Sequence, residues 1–196
     1  MKYRKEKING MRRLILFGMA FLMAVPVFSQ ELSKKEQRKL DRELKKEQQA
    51  KEMEVQSALV KIKVEYQRFV LEANQLRDKR GNMVNVSSTI NFVAVDSLNG
   101  VLQIGNNAYV GLNGVGGITE TGTVANYEYS LNEKNGTYNI KYFLRSQGGN
   151  YDVQMVAYSN GRADATISSN WPGRLTYSGF LVPPATSRVW QGTTRY

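Results

Sequence analysis

The feature that most constrains this chain is a change in hydrophobic period near residue 68. Residues 33–67 have the polar and apolar spacing of an α-helix, whereas later residues form short alternating runs separated by turn sequences. Short strands joined by tight turns are typical of an antiparallel meander. We therefore expect an α+β chain, in which a charged N-terminal helix is followed by a curled antiparallel sheet.

The β region combines clear alternation with explicit turns. Tyr138 and Ile140 begin one alternating run, and turns such as Asn135-Gly136 offer a glycine that accepts positive φ. About seven to nine strands favour a half-barrel or a barrel, because a flat sheet would leave two bare edges. The predicted strands are residues 69–73, 91–96, 101–105, 118–124, 126–133, 137–145, 151–158, 162–169 and 174–182.

The helical region has two different halves. Ser33 and Glu36 have the spacing of a capping box, and pairs such as Glu47/Lys51 suit a solvated first half. In the second half, apolar residues recur at 4-3-4-3 spacing, and we expect them to be buried against the protein's own sheet. The alternative is a coiled-coil seam, for which two heptads are few. This stripe consists of Val55, Leu59, Ile62, Tyr66 and Phe69.

Residues 1–29 have the composition of a secretory signal. Six Lys or Arg residues precede residues 14–28, an uncharged apolar run shorter than the roughly 20 residues that span a bilayer. Val27 and Ser29 are small or short residues at the positions that signal peptidase reads. We expect cleavage before Gln30 and a location in the periplasm or outside the cell; an uncleaved membrane anchor is the alternative.

The absence of two residue types excludes several chemistries. The chain contains no His and no Cys, so Ser-His-Asp, Cys-His and His-zinc hydrolases are excluded, as are disulfides and lipidation at cysteine. A carboxylate pair, a Ser-Lys dyad or a calcium site stays possible. The net charge is +10, but the signal contributes half of it and the remainder is dispersed, which argues against nucleic-acid binding.

Residues 68–184 resemble the domain of unknown function 4251, a family of exported proteins of Bacteroidetes. The resemblance rests on RFVLEAN, NFVAVDSLNGVLQIG, GLNGVGGIT, NYEYSLNEKNGTYNIKY, GGNYDVQMVAYSNGRADATISSNW and RLTYSGFLVPP, in that order. It implies a domain boundary near residue 68 and an envelope location, and it implies no activity. Many members are lipoproteins, which this chain without Cys cannot be. Many also have Leu-Pro-Tyr where this chain has Leu102-Gln103-Ile104.

The glycine-rich segment 105–117 is the most unusual stretch after the signal. Its glycines permit sharp turns and close approach of a ligand to backbone N–H groups, and Asn106, Asn107, Asn113 and Tyr109 add amides and a stacking face. Trp171 lies in a second predicted turn. We take these five residues as candidate ligand-binding residues; the alternative is that segment 105–117 is a purely architectural connection.

These observations favour a non-enzymatic exported envelope protein with a structural or partner-binding role. The alternatives are a carrier of a small ligand (lipid, sugar or peptide) in an aromatic-lined barrel, and a hydrolase with paired carboxylates. We predict no metal, no cofactor and no stable membrane span after signal cleavage; the expected partner is an envelope protein or a small ligand, and the oligomeric state is open. The expected divisions are 1–29 (signal), 30–67 (helix), 68–184 (β domain) and 185–196 (irregular tail).

Overall fold

Alternating apolar residues and frequent turns produce a β-rich fold with one long helix. A computed structural model describes residues 33–106, 113–169 and 173–194. Helix α1 spans Lys34–Glu65, and a 3₁₀ turn spans Pro184–Thr186. The strands are β1 (Arg68–Asp78), β2 (Met83–Asn85), β3 (Phe92–Asp96), β4 (Asn99–Ile104), β5 (Ile118–Asn132), β6 (Thr137–Ser146), β7 (Asn150–Ala157), β8 (Arg162–Ser169) and β9 (Arg174–Val182).

Strand β1 closes the sheet into a barrel. One edge of β1 pairs with β3 and, farther along, with the short strand β2; the other edge pairs with β9, with a register shift between Ala73 and Gln75. All pairings from β3 to β9 join consecutive antiparallel strands. Within the described residues the result is an eight-stranded barrel with β2 as an extra strand, which confirms the predicted α+β fold with a barrel-like meander.

Strand β5 differs from the prediction of two strands in residues 118–133. It is a single strand of 15 residues, and its pairing with β6 shifts between Ala125 and Glu128. Asn126 lies at this bulge with a φ of 52°, a conformation that Asn tolerates better than most residues. The apparent interruption in the sequence is therefore a bulge within one strand.

The start of α1 is as the sequence predicts. The Ser33 backbone N–H donates to Glu36 Oε2 at 2.9 Å, and the Glu36 backbone N–H donates to Ser33 Oγ at 3.3 Å, which is a capping box. Farther along, Lys51 Nζ lies 2.8 Å from Glu47 Oε1. These local interactions confirm the helix start and one of the predicted ion pairs.

The expected burial of the 4-3-4-3 stripe is wrong for its helical part. The exposed fractions of Val55, Leu59, Ile62 and Tyr66 are 58%, 38%, 52% and 70%, and only Phe69, which lies in β1, is buried. The helix instead buries the neighbouring face that carries Val60 and Val64, both fully buried within the barrel's hydrophobic cluster. Both faces are apolar, so periodicity alone could not select the one that meets the barrel.

The chain divides into two compact units, Met1–Lys45 and Lys46–Tyr196. The described residues of the first unit, 33–45, are all exposed. The second unit contains the remainder of α1 and the barrel. Within the described residues, α1 is not apolar enough to cross a membrane.

Candidate functional site

The two ends of the barrel are built differently. At one end, the later part of α1 is fixed by three contacts: Tyr127 Oη donates to Val64 O at 2.9 Å, Lys63 Nζ donates to Leu181 O, and Ser97 N–H donates to the carbonyl of Gln67, which follows the helix, at 2.8 Å. Leu181 lies near the end of β9, Ser97 lies where β3 turns into β4, and Tyr127 lies at the bulge in β5. The helix therefore covers this end, and the buried Val60 and Val64 contribute to the barrel core there.

The opposite end, which we call the mouth, is where β4 and β8 end and β5 and β9 begin. The glycine-rich segment 105–117 connects β4 to β5, and residues 170–173 connect β8 to β9. Both predicted binding segments therefore begin and end at the mouth. Local sequence patterns do not predict this juxtaposition, because it follows from closure of the barrel.

A cavity of 310 Å³ opens at the mouth. Its wall is mainly apolar, and it also includes two tyrosines, Ser168, Ser169 and the positively charged Arg174. Below it, large side chains such as Leu144 and Met155 are almost completely buried and fill the barrel, as is usual for eight strands. The apolar and aromatic lining consists of Leu102, Ile104, Ile167, Leu175, Tyr151 and Tyr177.

Glu120 is a buried carboxylate beside this cavity. It pairs across the sheet with Leu102, which lines the mouth, and its exposed fraction is 8%. Ser146 Oγ donates to Glu120 Oε2 at 2.6 Å, and the Tyr151 hydroxyl donates to the same carboxylate. A Cβ atom on Gly148 would lie 2.2 Å from Glu120 Oε1, so glycine at position 148 provides the space that the carboxylate occupies.

The electrostatics of Tyr151 reflect this arrangement. Burial raises the pKa of its hydroxyl, and the negative charge of Glu120 and their hydrogen bond raise it further. Tyr151 therefore stays protonated at neutral pH and acts as a hydrogen-bond donor. Tyr177 is also buried; its hydroxyl donates to Gln103 O at 3.3 Å, and burial raises its pKa well above the ordinary range.

Of the five predicted site residues, the structure describes Asn106 and Asn113. Asn113 is buried and holds its own loop: its Oδ1 accepts from the N–H groups of Val115 and Gly117, and its Nδ2 donates to Thr119. Asn106 is exposed, and its backbone N–H donates to Val115 O at 2.8 Å. The architectural interpretation therefore accounts for Asn113.

The other three predicted site residues, Asn107, Tyr109 and Trp171, lie outside the described residues. The connections that contain them both start and end at the mouth.

Asn106 also contributes to a second cavity, of 520 Å³, near β2. Its wall includes Leu76, Val84, Ile90 and the backbone of Gly105, and among the described residues that line it none is charged or aromatic. The mouth offers more specific chemistry, because aromatic rings and the charged side chain of Arg174 line its cavity.

Sequence analysis missed the role of Gln103. This fully buried side chain donates from Nε2 to the carbonyls of Ile90 and Trp190, at 3.1 and 2.9 Å. Its Oε1 accepts from Thr119 Oγ1 and from the Gly192 N–H, at 3.0 and 2.7 Å. Gln103 thus fastens the C-terminal tail to β4, which no local pattern could predict because the partners are about 90 residues apart.

Metal binding finds no support in the described part of the chain. No group of three or more Asp or Glu side chains there could hold a metal ion.

The comparison with protein families agrees with this architecture. The family profile described as "Domain of unknown function (DUF4251)" matches residues 46–181, from the middle of α1 to the end of β9. The chain belongs to the DUF4251 family. A crystal structure of a DUF4251 family protein from Bacteroides eggerthii DSM 20697 is similar to it, with 32% identity and a TM-score of 0.58. The match covers 68% of this chain and 91% of that chain.

No curated protein matches the chain. Membership in DUF4251 confirms the resemblance found from the sequence motifs and assigns no activity. The function of this DUF4251 protein must therefore be inferred from the cavity at the mouth.

Proposed function

We propose that this DUF4251 protein is an exported, non-enzymatic binding protein that takes a small, largely apolar ligand into the mouth of its barrel. The observation that carries this proposal is the 310 Å³ cavity with its apolar and aromatic wall. Small-molecule sites occupy about 300–1,000 Å³ and combine an apolar lining with a few polar groups. The cavity lies at the lower end of that range.

The construction of the barrel supports entry from the mouth. Helix α1 covers the other end, and tightly packed side chains such as Leu144 and Met155 occupy the interior between the two ends. Eight-stranded barrels either fill their interior or hold one small ligand. This barrel combines both arrangements, because side chains fill the interior below the mouth and a cavity is open at the mouth itself.

Binding at the mouth can be tested by fluorescence with an apolar dye such as 1-anilinonaphthalene-8-sulfonate. Leu175→Trp places a large side chain in the wall of the cavity and should abolish dye binding. Thr123→Trp is the matched control, because Thr123 is exposed on β5 and does not line the cavity. Equal dye binding by both variants would contradict the proposal, provided that both show the circular dichroism spectrum of the unmodified protein.

Export is part of the proposal and is supported by residues 1–29, with their basic start and apolar run. We expect the protein in the envelope fraction to begin at Gln30 and to carry no lipid. Intact mass spectrometry tests this, and a mass that includes residues 1–29 would indicate a membrane anchor instead.

A partner-binding role is the second candidate, favoured by the exposed stripe of Val55, Leu59, Ile62 and Tyr66. Its 4-3-4 spacing suits a second helix with the same pattern, which another copy of this chain would supply. Light scattering after size exclusion should then show a dimer that Ile62→Glu dissociates. A monomer at all concentrations would contradict pairing between copies.

A further inference from the structure

Arg174 is the one charged residue among the described residues that line the cavity at the mouth. It begins β9, at the rim of the barrel, and it is exposed. Within the described part of the chain it takes part in no salt bridge. The mouth therefore combines an apolar wall with a positive charge at its edge that no described carboxylate neutralises.

The neighbours of Arg174 across the sheet leave this charge in place. Its cross-strand partner is Ser168, which also lines the cavity and has a hydroxyl that can donate a hydrogen bond. The next residue in the same cross-strand row is Asp152 on β7, which lies two strands from Arg174 and forms no salt bridge with it. The guanidinium group is therefore placed to bind an anionic group of a ligand.

The buried carboxylate of Glu120 does not compete for this position. Glu120 is not among the described residues that line the cavity, and it accepts hydrogen bonds from Ser146 and Tyr151. Its strand, β5, lies opposite β9 in the barrel, because β8, β7 and β6 separate the two in one direction and β1, β3 and β4 in the other. An anion at Arg174 thus lies across the barrel from this carboxylate.

We propose that the ligand of the mouth is a carboxylate attached to an apolar body, with Arg174 as the partner of the carboxylate. This inference rests on the proposed function and specifies the class of ligand. A guanidinium group matches a carboxylate through two parallel N–H···O hydrogen bonds. The apolar body contacts Leu102, Ile167 and Leu175 in the cavity wall, while the carboxylate stays at the rim, which avoids the cost of burying its charge.

The test compares three ligands with the same ten-carbon chain at neutral pH by isothermal titration: decanoate, 1-decanol and decylamine. We expect decanoate to bind about fivefold more tightly than 1-decanol, which is the upper range for an ion pair with an exposed partner. Decylamine should bind more weakly than 1-decanol, because Arg174 repels its ammonium group. The overall positive charge of the protein favours the same order without a specific site, so variants must separate the two effects.

Two arginine variants locate the preference. Arg174→Gln should reduce the advantage of decanoate over 1-decanol to less than about twofold, because the partner of the carboxylate is lost. Arg145→Gln removes the same charge at the same end of the barrel and should leave the advantage intact, since Arg145 is exposed near the end of β6 and is not among the described residues that line the cavity. Circular dichroism checks that both variants fold.

The outcomes separate this inference from the proposed function. Equal affinity for decanoate and 1-decanol in the unmodified protein would overturn the carboxylate specificity while leaving the apolar cavity in place. An advantage of decanoate that survives Arg174→Gln, or that falls equally in both variants, would overturn the role of Arg174. Failure of all three ligands to bind would overturn both proposals. If Arg174→Gln does not fold, the advantage of decanoate in the unmodified protein and in Arg145→Gln decides.

Discussion

The two apolar faces of α1 should differ sharply in their contribution to stability. Val60 is completely buried, whereas 58% of Val55 is exposed on the same helix. Valine-to-alanine substitution removes the same two methyl groups at both positions. The pair is therefore a matched comparison in which only the surroundings of the side chain differ.

The expected magnitudes follow from burial. Each buried methyl group is worth about 0.8 kcal/mol, and the cavity left in a packed core adds to this, so Val60→Ala should lower the free energy of unfolding by about 2 kcal/mol. Val55→Ala should change it by less than about 0.5 kcal/mol, because little apolar area leaves the core and alanine favours the helix.

Urea denaturation followed by circular dichroism measures both values. In a domain of this size, 2 kcal/mol corresponds to a fall in Tm of about 4–8 °C. The burial predicted from sequence alone gives the opposite order of effects, since it places Val55 in the core and Val60 outside it. A larger loss for Val55→Ala than for Val60→Ala would refute the packing of α1 described here.

Three further predictions concern buried polar groups. Tyr142→Phe should be neutral or stabilising, because its buried hydroxyl has no hydrogen-bond partner among the described residues, whereas Tyr127→Phe should cost about 1 kcal/mol through loss of the bond to Val64. Burial raises the pKa of Tyr127 above the ordinary value of 10.0, so this tyrosine stabilises the fold fully below pH 10.0 and loses that contribution as the pH rises above it. The free energy of unfolding should therefore decrease less between about pH 9 and pH 11 in Tyr127→Phe than in the unmodified protein. Gln103→Ala should release the tail around Trp190 and make it sensitive to limited proteolysis, whereas protection equal to that of the unmodified protein would contradict the anchoring role of Gln103.

Much of the fold was readable from local sequence. Turn signals such as Asn135-Gly136 and alternation through Tyr138 and Ile140 identified the β6 hairpin, and Ser33 with Glu36 identified the start of α1. These features depend on neighbours in the chain, so a single sequence contains the necessary information.

The features that sequence analysis missed depend on distant contacts. Closure of β1 on β9 forms the barrel, and α1 covers one of its ends, which leaves a single mouth. Which of the two apolar helix faces is buried depends on the side chains at the covered end. The candidate site shows the same limit. The sequence identifies segment 105–117 as a candidate by its glycines. It does not identify Glu120 and Tyr151, because only the fold places them together beside a cavity.

The most direct test of the account is to locate a bound ligand by NMR. Methyl spectra of the protein labelled at Ile and Leu can be recorded during titration with 1-decanol, which tests the cavity without regard to head-group charge. We predict that the signals of Leu102, Ile167 and Leu175 shift together while those of Leu59 and Ile62 on the helix stay in place. Shifts confined to Leu59 and Ile62, or no shifts up to the solubility limit of 1-decanol, would contradict a ligand site in the mouth.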